Sequence, residues 1–231
     1  MRSRNITQRR RQQMPNWCDN QVTITGPNSV IDKIEKITKE EDGVTDSSDP
    51  KGLLQFMHPM PAELRDTTAD GFKDKAMIEK TGYSDWYSWA IDNWGTKWEV
   101  CEFYGVDRQH LNDSLDESTI TFGFSSAWSP PLGAYEQFLS DNENCSVKTY
   151  YYEGGCDFMG CWDNGDDQCV QPSDYKSDDT FWDSGLGYDL DEMFNITESM
   201  REYEAEQETE AEVKVRELVV EKKAVNIGED Q

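Results

Sequence analysis

The stretch from Asp85 to Trp98, DWYSWAIDNWGTKW, holds Trp86, Trp89, Trp94 and Trp98, half of the eight tryptophans of the chain. Trp86, Trp89 and Ala90 stand at i, i+3 and i+4, which is one face of a helix. Asp85 or Ser84 suits its start, because a short oxygen side chain accepts from the free N–H groups of the first turn. Gly95 suits its end, since glycine tolerates the left-handed conformation just past a helix. Beyond Gly95 the period changes, and Lys97 to Tyr104 reads as a strand. A second stretch, Phe122 to Pro131 (FGFSSAWSPP), reads as the partner of the first. Large aromatics bury about 150–250 Å² each, so Trp86, Trp89, Trp94, Trp98 and Trp128 can anchor a core. Lining an open cleft instead, the same five would form a pocket that stacks a base, a sugar or a cation.

Before this stretch, Trp17 to Thr25 reads as a strand, with Val22 and Ile24 alternating against Thr23 and Thr25. Gly26-Pro27-Asn28 reads as a turn. Asn28 or Ser29 caps a helix whose Val30, Ile31, Ile34 and Ile37 recur at helical spacing. Residues 41–52 read as a loop and Leu53 to Met57 as a short strand stopped by His58-Pro59-Met60-Pro61. Residues 62–83 are loop-rich, with a helical turn or two near Lys73 to Lys80. After the stretch, residues 105–118 connect to a strand over Thr119 to Ala127, with Ile120, Phe122 and Phe124 on one face. Pro131 starts a helix with Tyr135, Phe138 and Leu139 as its apolar face. Ser146 to Glu153 is a strand, and Phe158 to Trp162 pairs with it as a hairpin. The order β–α–insert–β–β–α–β predicts an α+β fold of the ferredoxin-like, split βαβ kind. Its antiparallel sheet carries two helices on one face, a Trp-rich helical insert and a trailing hairpin.

The tails differ from the core. Residues 1–13 hold five arginines and no acid, and read as a disordered basic tail. The core domain spans residues 14–165. Residues 166–187 read as an acidic loop anchored at Tyr175, Phe181 and Trp182, and residues 188–231 as an acidic helix. Leu190, Met193, Phe194, Thr197, Met200 and Tyr203 follow at helical steps, and of these Leu190, Met193, Met200 and Tyr203 suggest that its first half folds back on the sheet.

The net charge is −25, from 47 acidic and 22 basic residues. Without the basic tail, 17 basic residues face 47 acidic ones, a net of −30. Such a body repels phosphate backbones and anionic membranes, so direct nucleic-acid binding and membrane binding are not expected. It suits a solubilising surface, a basic partner, or mimicry of nucleic acid. Glu202, Glu206 and Glu210 stand at i, i+4 and i+8 and are the candidate partner-binding carboxylates. No run approaches 18 apolar residues and no N-terminal apolar segment is present, so a cytoplasmic protein with reduced thiols is expected.

Of the six cysteines, Cys156, Cys161 and Cys169 lie close in sequence and are the candidate zinc ligands, with Cys145, Cys18 or Asp157 as a fourth. Their spacings are not those of a common zinc knuckle, so no cofactor is expected. Asp163, Asn164, Asp166 and Asp167 make an oxygen-rich loop, but its glycine falls at the wrong place for an EF-hand and no glutamate closes it at the twelfth position. His58 and His110 have no nucleophile beside them in sequence; pairs with Cys18 or Cys101 would depend on the fold. Gly154-Gly155 and Gly185-x-Gly187 match no phosphate-loop fingerprint.

Several motifs in order resemble the YubB-type ferredoxin-like domain found in bacteriophages, prophages and conjugative plasmids. They are Met14-Pro15-Asn16-Trp17-Cys18-Asp19-Asn20 with Val22 to Gly26, Phe56 to Pro61, Trp89 to Trp98, Ala127 to Pro131, and Tyr151 to Gly160. The resemblance covers roughly residues 14–165. It implies no catalytic residues, and a phage-encoded protein would work in the host cytoplasm. The expected function is therefore a non-enzymatic accessory protein of a phage or mobile element. It would act by protein–protein interaction and modulate a host factor. One alternative is an acidic DNA mimic that inhibits a basic host nuclease or DNA-binding protein. Another is a small-ligand binder using the tryptophan pocket.

Overall fold

A computed structural model of the chain describes residues 16–39, 52–100, 102–111 and 116–228, with side chains of the last helix as far as Ala211 and at Lys214. The basic tail of residues 1–13, most of the 41–52 loop and Cys101 lie outside the described residues.

The elements follow in order as β1 (Trp17–Pro27), α1 (Asn28–Lys39), α2 (Leu53–Met57), α3 (Ala62–Arg65), α4 (Lys75–Thr81), α5 (Trp86–Trp94), β2 (Tyr104–His110), β3 (Glu117–Ala127), α6 (Leu132–Asp141), β4 (Ser146–Glu153), β5 (Phe158–Asp163), β6 (Asp166–Val170), α7 (Gly185–Phe194) and α8 (Ile196–Gly228). The strands form one six-stranded antiparallel sheet in the order β2-β3-β1-β4-β5-β6. The chain is thus an α+β protein.

Side chains alternate across a pleated strand, so each sheet face takes every second residue. In β1, Cys18, Asn20, Val22 and Ile24 are buried while their neighbours are half-exposed. The paired register brings Ile120, Phe122 and Phe124 of β3, Val147 and Tyr151 of β4, and Trp162 of β5 onto that same face. Ile31 and Ile34 of α1, Tyr135 and Phe138 of α6, and Trp89 and Trp94 of α5 pack against it. Fully burying an Ile or Phe side chain contributes about 1.5–3 kcal/mol, so this layer is the main source of stability.

The opposite face divides in two. Over β1 and β3 it is polar, and Thr23–Thr121 and Thr25–Thr119 form cross-strand hydroxyl pairs at 3.3 and 2.8 Å. Over β4 and β5 it is covered: Tyr150 and Met159 pack under Trp182, Leu190 and Ile196.

Three readings of the sequence are corrected. Leu53–Met57 is a helix, not a strand. Its first N–H groups, those of Leu54 and Gln55, donate to the Glu99 carboxylate at 2.7 and 2.9 Å, a cap supplied from 45 residues away. The strand expected over Lys97 to Tyr104 begins instead at Tyr104 and runs into the expected loop, with a bulge between Tyr104 and Asp107. It is held by Arg108, whose guanidinium reaches Asp32 at 2.6 Å and Glu35 at 2.7 Å on α1. The acidic segment after Asp163 is not a loop at its start: residues 166–170 form the edge strand β6, so the boundary expected at residue 165 falls in the β5–β6 turn. The sequence Asp166-Asp167-Gln168-Cys169-Val170 has no apolar alternation because none of its residues is buried.

Candidate functional site

Local rules hold for α5. The Asp85 carboxylate accepts from the Ser88 N–H at 2.9 Å, and Gly95 ends the helix at φ 84°. The helix splits its tryptophans. Trp89 and Trp94 are buried at 4% and 2% exposure. The Trp94 indole N–H donates to the His58 carbonyl at 2.8 Å, and His58 Nδ1–H donates to the Asn93 carbonyl at 3.2 Å. The His58 ring meets Trp89 edge-on at 5.0 Å. These two tryptophans are therefore core and not pocket: both are buried, and they meet each other edge-on at 5.3 Å.

Trp86, Trp98 and Trp128 remain half-buried at the surface. Two residues that the sequence reading passed over, Trp17 and Tyr87, join them. Trp17 is 48% exposed, stands opposite Ala127 in the β1–β3 register and lies 6.3 Å from Trp98 between ring centroids. Tyr87 meets Trp128 edge-on at 6.3 Å and Trp86 at 5.8 Å. Between Trp98 and Trp128 sits Lys97, its Nζ 4.4 Å from one ring centroid and 4.9 Å from the other. Among the described residues Lys97 makes no ion pair. The surface thus reads Tyr87, Trp128, Lys97, Trp98, Trp17 in order.

The scaffold that sets this row is tied at several points. The Thr96 hydroxyl donates to the Ala127 carbonyl at 2.8 Å, and the Ser129 hydroxyl donates to the Gly95 carbonyl. Gly133 lies so close to the end of α5 that a Cβ there would stand 2.5 Å from the Asn93 carbonyl oxygen. The Trp128 N–H donates to the Asn16 carbonyl at 2.9 Å. Trp128 itself has φ 73°, a left-handed conformation rare for a bulky residue, which costs about 1–3 kcal/mol. The surrounding bonds impose that conformation, and it places Trp128 against both Tyr87 and Lys97.

The acidic helix supplies a second surface. At Asn195, φ 52° breaks the single long helix read from the sequence into α7 and α8. Leu190 and Ile196 are fully buried, whereas Met193 and Tyr203 are 42% and 63% exposed and do not dock. The Ser177 N–H and hydroxyl donate to the Glu204 carboxylate at 3.2 and 2.6 Å and hold its pKa below the usual carboxylate value. Past that bond the helix continues, and residues 205–211 are all exposed. Glu202, Glu206 and Glu210 are likewise exposed. Steps of four residues on a helix rise about 6 Å, so the three lie in a line along one side of α8.

The candidate zinc cysteines do not converge. Cys161 pairs with Tyr150 on the face that carries α7, while Cys169 pairs with Gly160 on the other face. Cys156 lies in the β4–β5 turn and accepts from Asn16 Nδ2 at 3.4 Å. Cys18, Cys145, Cys156, Cys161 and Cys169 are all free, and among the described residues no group of three His, Cys, Asp or Glu side chains could hold a metal ion. Asn164 is a turn residue whose side-chain oxygen accepts from the Val147 N–H, and Asp167 accepts from the Tyr151 hydroxyl. His110 faces Ser118 at 3.0 Å, while Cys18 is buried and its thiol pKa is pushed well up, chiefly by desolvation. Among the described residues no helix is long and apolar enough to cross a membrane.

No family model matches the chain, and no curated protein matches it. Among solved structures, one that is similar is a protein api92 from Yersinia pseudotuberculosis, family DUF1281. The likeness covers 68% of this chain and 98% of that one, at 12% identity and a TM-score of 0.36, too low to carry any argument about fold or function.

Proposed function

We propose that this chain is a non-enzymatic protein-binding protein whose partner is a basic, DNA-binding protein, and that α8 engages it as a mimic of a nucleic-acid strand. The observation that carries this reading is the exposed acidic stretch of α8 from Glu198 to Glu210. Between Glu198 and Glu210 it carries Glu198, Glu202, Glu204, Glu206, Glu208 and Glu210 against Arg201. Twelve helical steps span about 18 Å, so the net charge is about one per 3.6 Å. One strand of duplex DNA carries about one per 3.4 Å. Like charges at i, i+4 destabilise a helix, so a cationic partner would remove a cost that the free helix bears.

The resemblance to the YubB-type ferredoxin-like family, and with it an origin in a phage or mobile element and work in a host cytoplasm, belongs to the same proposal. What supports it is the order β2-β3-β1-β4 with α1 and α6 packed into one apolar layer, the arrangement of a split βαβ sheet.

The test is displacement. A fluorescent DNA duplex is bound to a sequence-independent DNA-binding protein, and the full chain is added at about 50 mM and 300 mM salt. The chain is expected to release the duplex at low salt and to weaken by at least tenfold at high salt. Glu202→Gln/Glu206→Gln/Glu210→Gln is expected to lose most of the effect. A duplex that stays bound at low salt overturns the reading.

A further inference from the structure

We infer that the row Tyr87, Trp128, Lys97, Trp98, Trp17 is an arginine-reading surface, on which guanidinium groups of the same basic partner stack. This rests on the basic-partner reading above. Four features of the row point to a cation as its ligand. The indole face carries the negative end of a quadrupole and attracts a cation within about 6 Å of the ring centroid. Lys97 already sits in that position between two rings, so the slot is shaped for a cation and holds one from its own chain. The chain is strongly acidic, with a net charge of −25, so phosphate-bearing ligands are repelled and cationic ones attracted. The row is also stepped rather than parallel, Trp17 lying at 55° to Trp98 and Tyr87 at 88° to Trp128, which does not suit a continuous stack of bases.

Arginine fits this surface better than lysine does. Its guanidinium is planar, stacks on an aromatic face and is more weakly hydrated than an ammonium. Lys97, on a flexible four-carbon stem, leaves the slot when a guanidinium enters, and Trp17, 48% exposed, offers a further face. The left-handed backbone of Trp128 is then the local cost of holding the slot open before the partner arrives.

The test uses two labelled peptides of equal length and charge, five repeats of Arg-Gly and five of Lys-Gly, titrated with the full chain. The arginine peptide is expected to bind about fivefold more tightly, the value of one cation–π contact of about 1 kcal/mol. Trp98→Ala and Trp17→Ala are each expected to weaken the arginine peptide more than the lysine peptide and so to reduce that preference. Lys97→Ala is expected to strengthen arginine-peptide binding by more than Lys75→Ala, an exposed lysine of α4 that serves as the charge control. Glu202→Gln/Glu206→Gln/Glu210→Gln is expected to weaken both peptides while keeping their ratio. Equal binding of the two peptides, or a preference that survives both tryptophan substitutions, overturns the arginine surface and leaves the acidic-helix reading standing. Failure of both peptides to bind at low salt overturns both.

Discussion

Glu99 illustrates how one residue can hold together segments distant in sequence. Its carboxylate accepts from the N–H groups of Leu54, Gln55 and Val100, and so fixes α2 against the segment that leaves α5. Desolvation is the largest influence on it and pushes its pKa from 4.5 up to about 7, while those N–H groups pull the other way. A carboxyl raised in the folded state stabilises the fold through its protonated form. That contribution is fully present below pH 4.5 and is lost as the pH rises to about 7. In melting curves across this window, wild type is expected to lose stability relative to Glu99→Gln, which cannot ionise. Parallel curves for the two proteins would show that Glu99 does not titrate there. Glu99 contributes through position alone, because nothing in its own neighbourhood in sequence identifies it as the cap of a helix 45 residues earlier.

At the scale of elements, the junction of α7 and α8 governs where the acidic rod points. Asn195 takes the left-handed conformation that ends α7, and the Asp191 carboxylate accepts from the Thr197 N–H and hydroxyl at 2.7 and 2.8 Å to start α8. Glycine and asparagine tolerate that conformation, whereas alanine pays roughly 1–2 kcal/mol for it. Asn195→Ala is therefore expected to lower the urea midpoint by an amount equal to about 1 kcal/mol, and Asn195→Gly to lie close to wild type. If the two variants behave alike, the junction does not depend on backbone conformation. The apolar residues across this junction were legible as a continuous helical pattern. The break was not, because Leu190 and Ile196 both bury on the same cluster and periodicity does not record a single reversed φ.

For the whole molecule, the C-terminal segment has two parts with different duties. Up to Glu204 it covers Tyr150 and Met159, and beyond Glu204 the side chains described make no packing contact with the sheet. A chain ending at Glu204 is expected to melt within a few degrees of the full protein. One ending at Gly187 loses Leu190 and Ile196, each worth about 1.5–3 kcal/mol, and is expected to melt far lower and to aggregate through the uncovered sheet face. Equal melting of the two truncations would show that the second cluster does not support the fold. What is local could be read from residue type and spacing alone: the capped helix at Asp85–Gly95, the alternation of Val22 and Ile24, the aromatic face of β3, and the net acidic charge. The position of β2, the edge strand β6 and the division of the tryptophans were decided by tertiary structure. Trp89 and Trp94 are core while Trp98 and Trp128 flank Lys97 because β1 pairs with β3 across more than a hundred residues, setting Trp17 opposite Ala127. Hydrogen bonds from Thr96 and Ser129 then bring the end of α5 to that pair. Exposure depends on which distant segments meet, and helical or strand spacing carries no record of that.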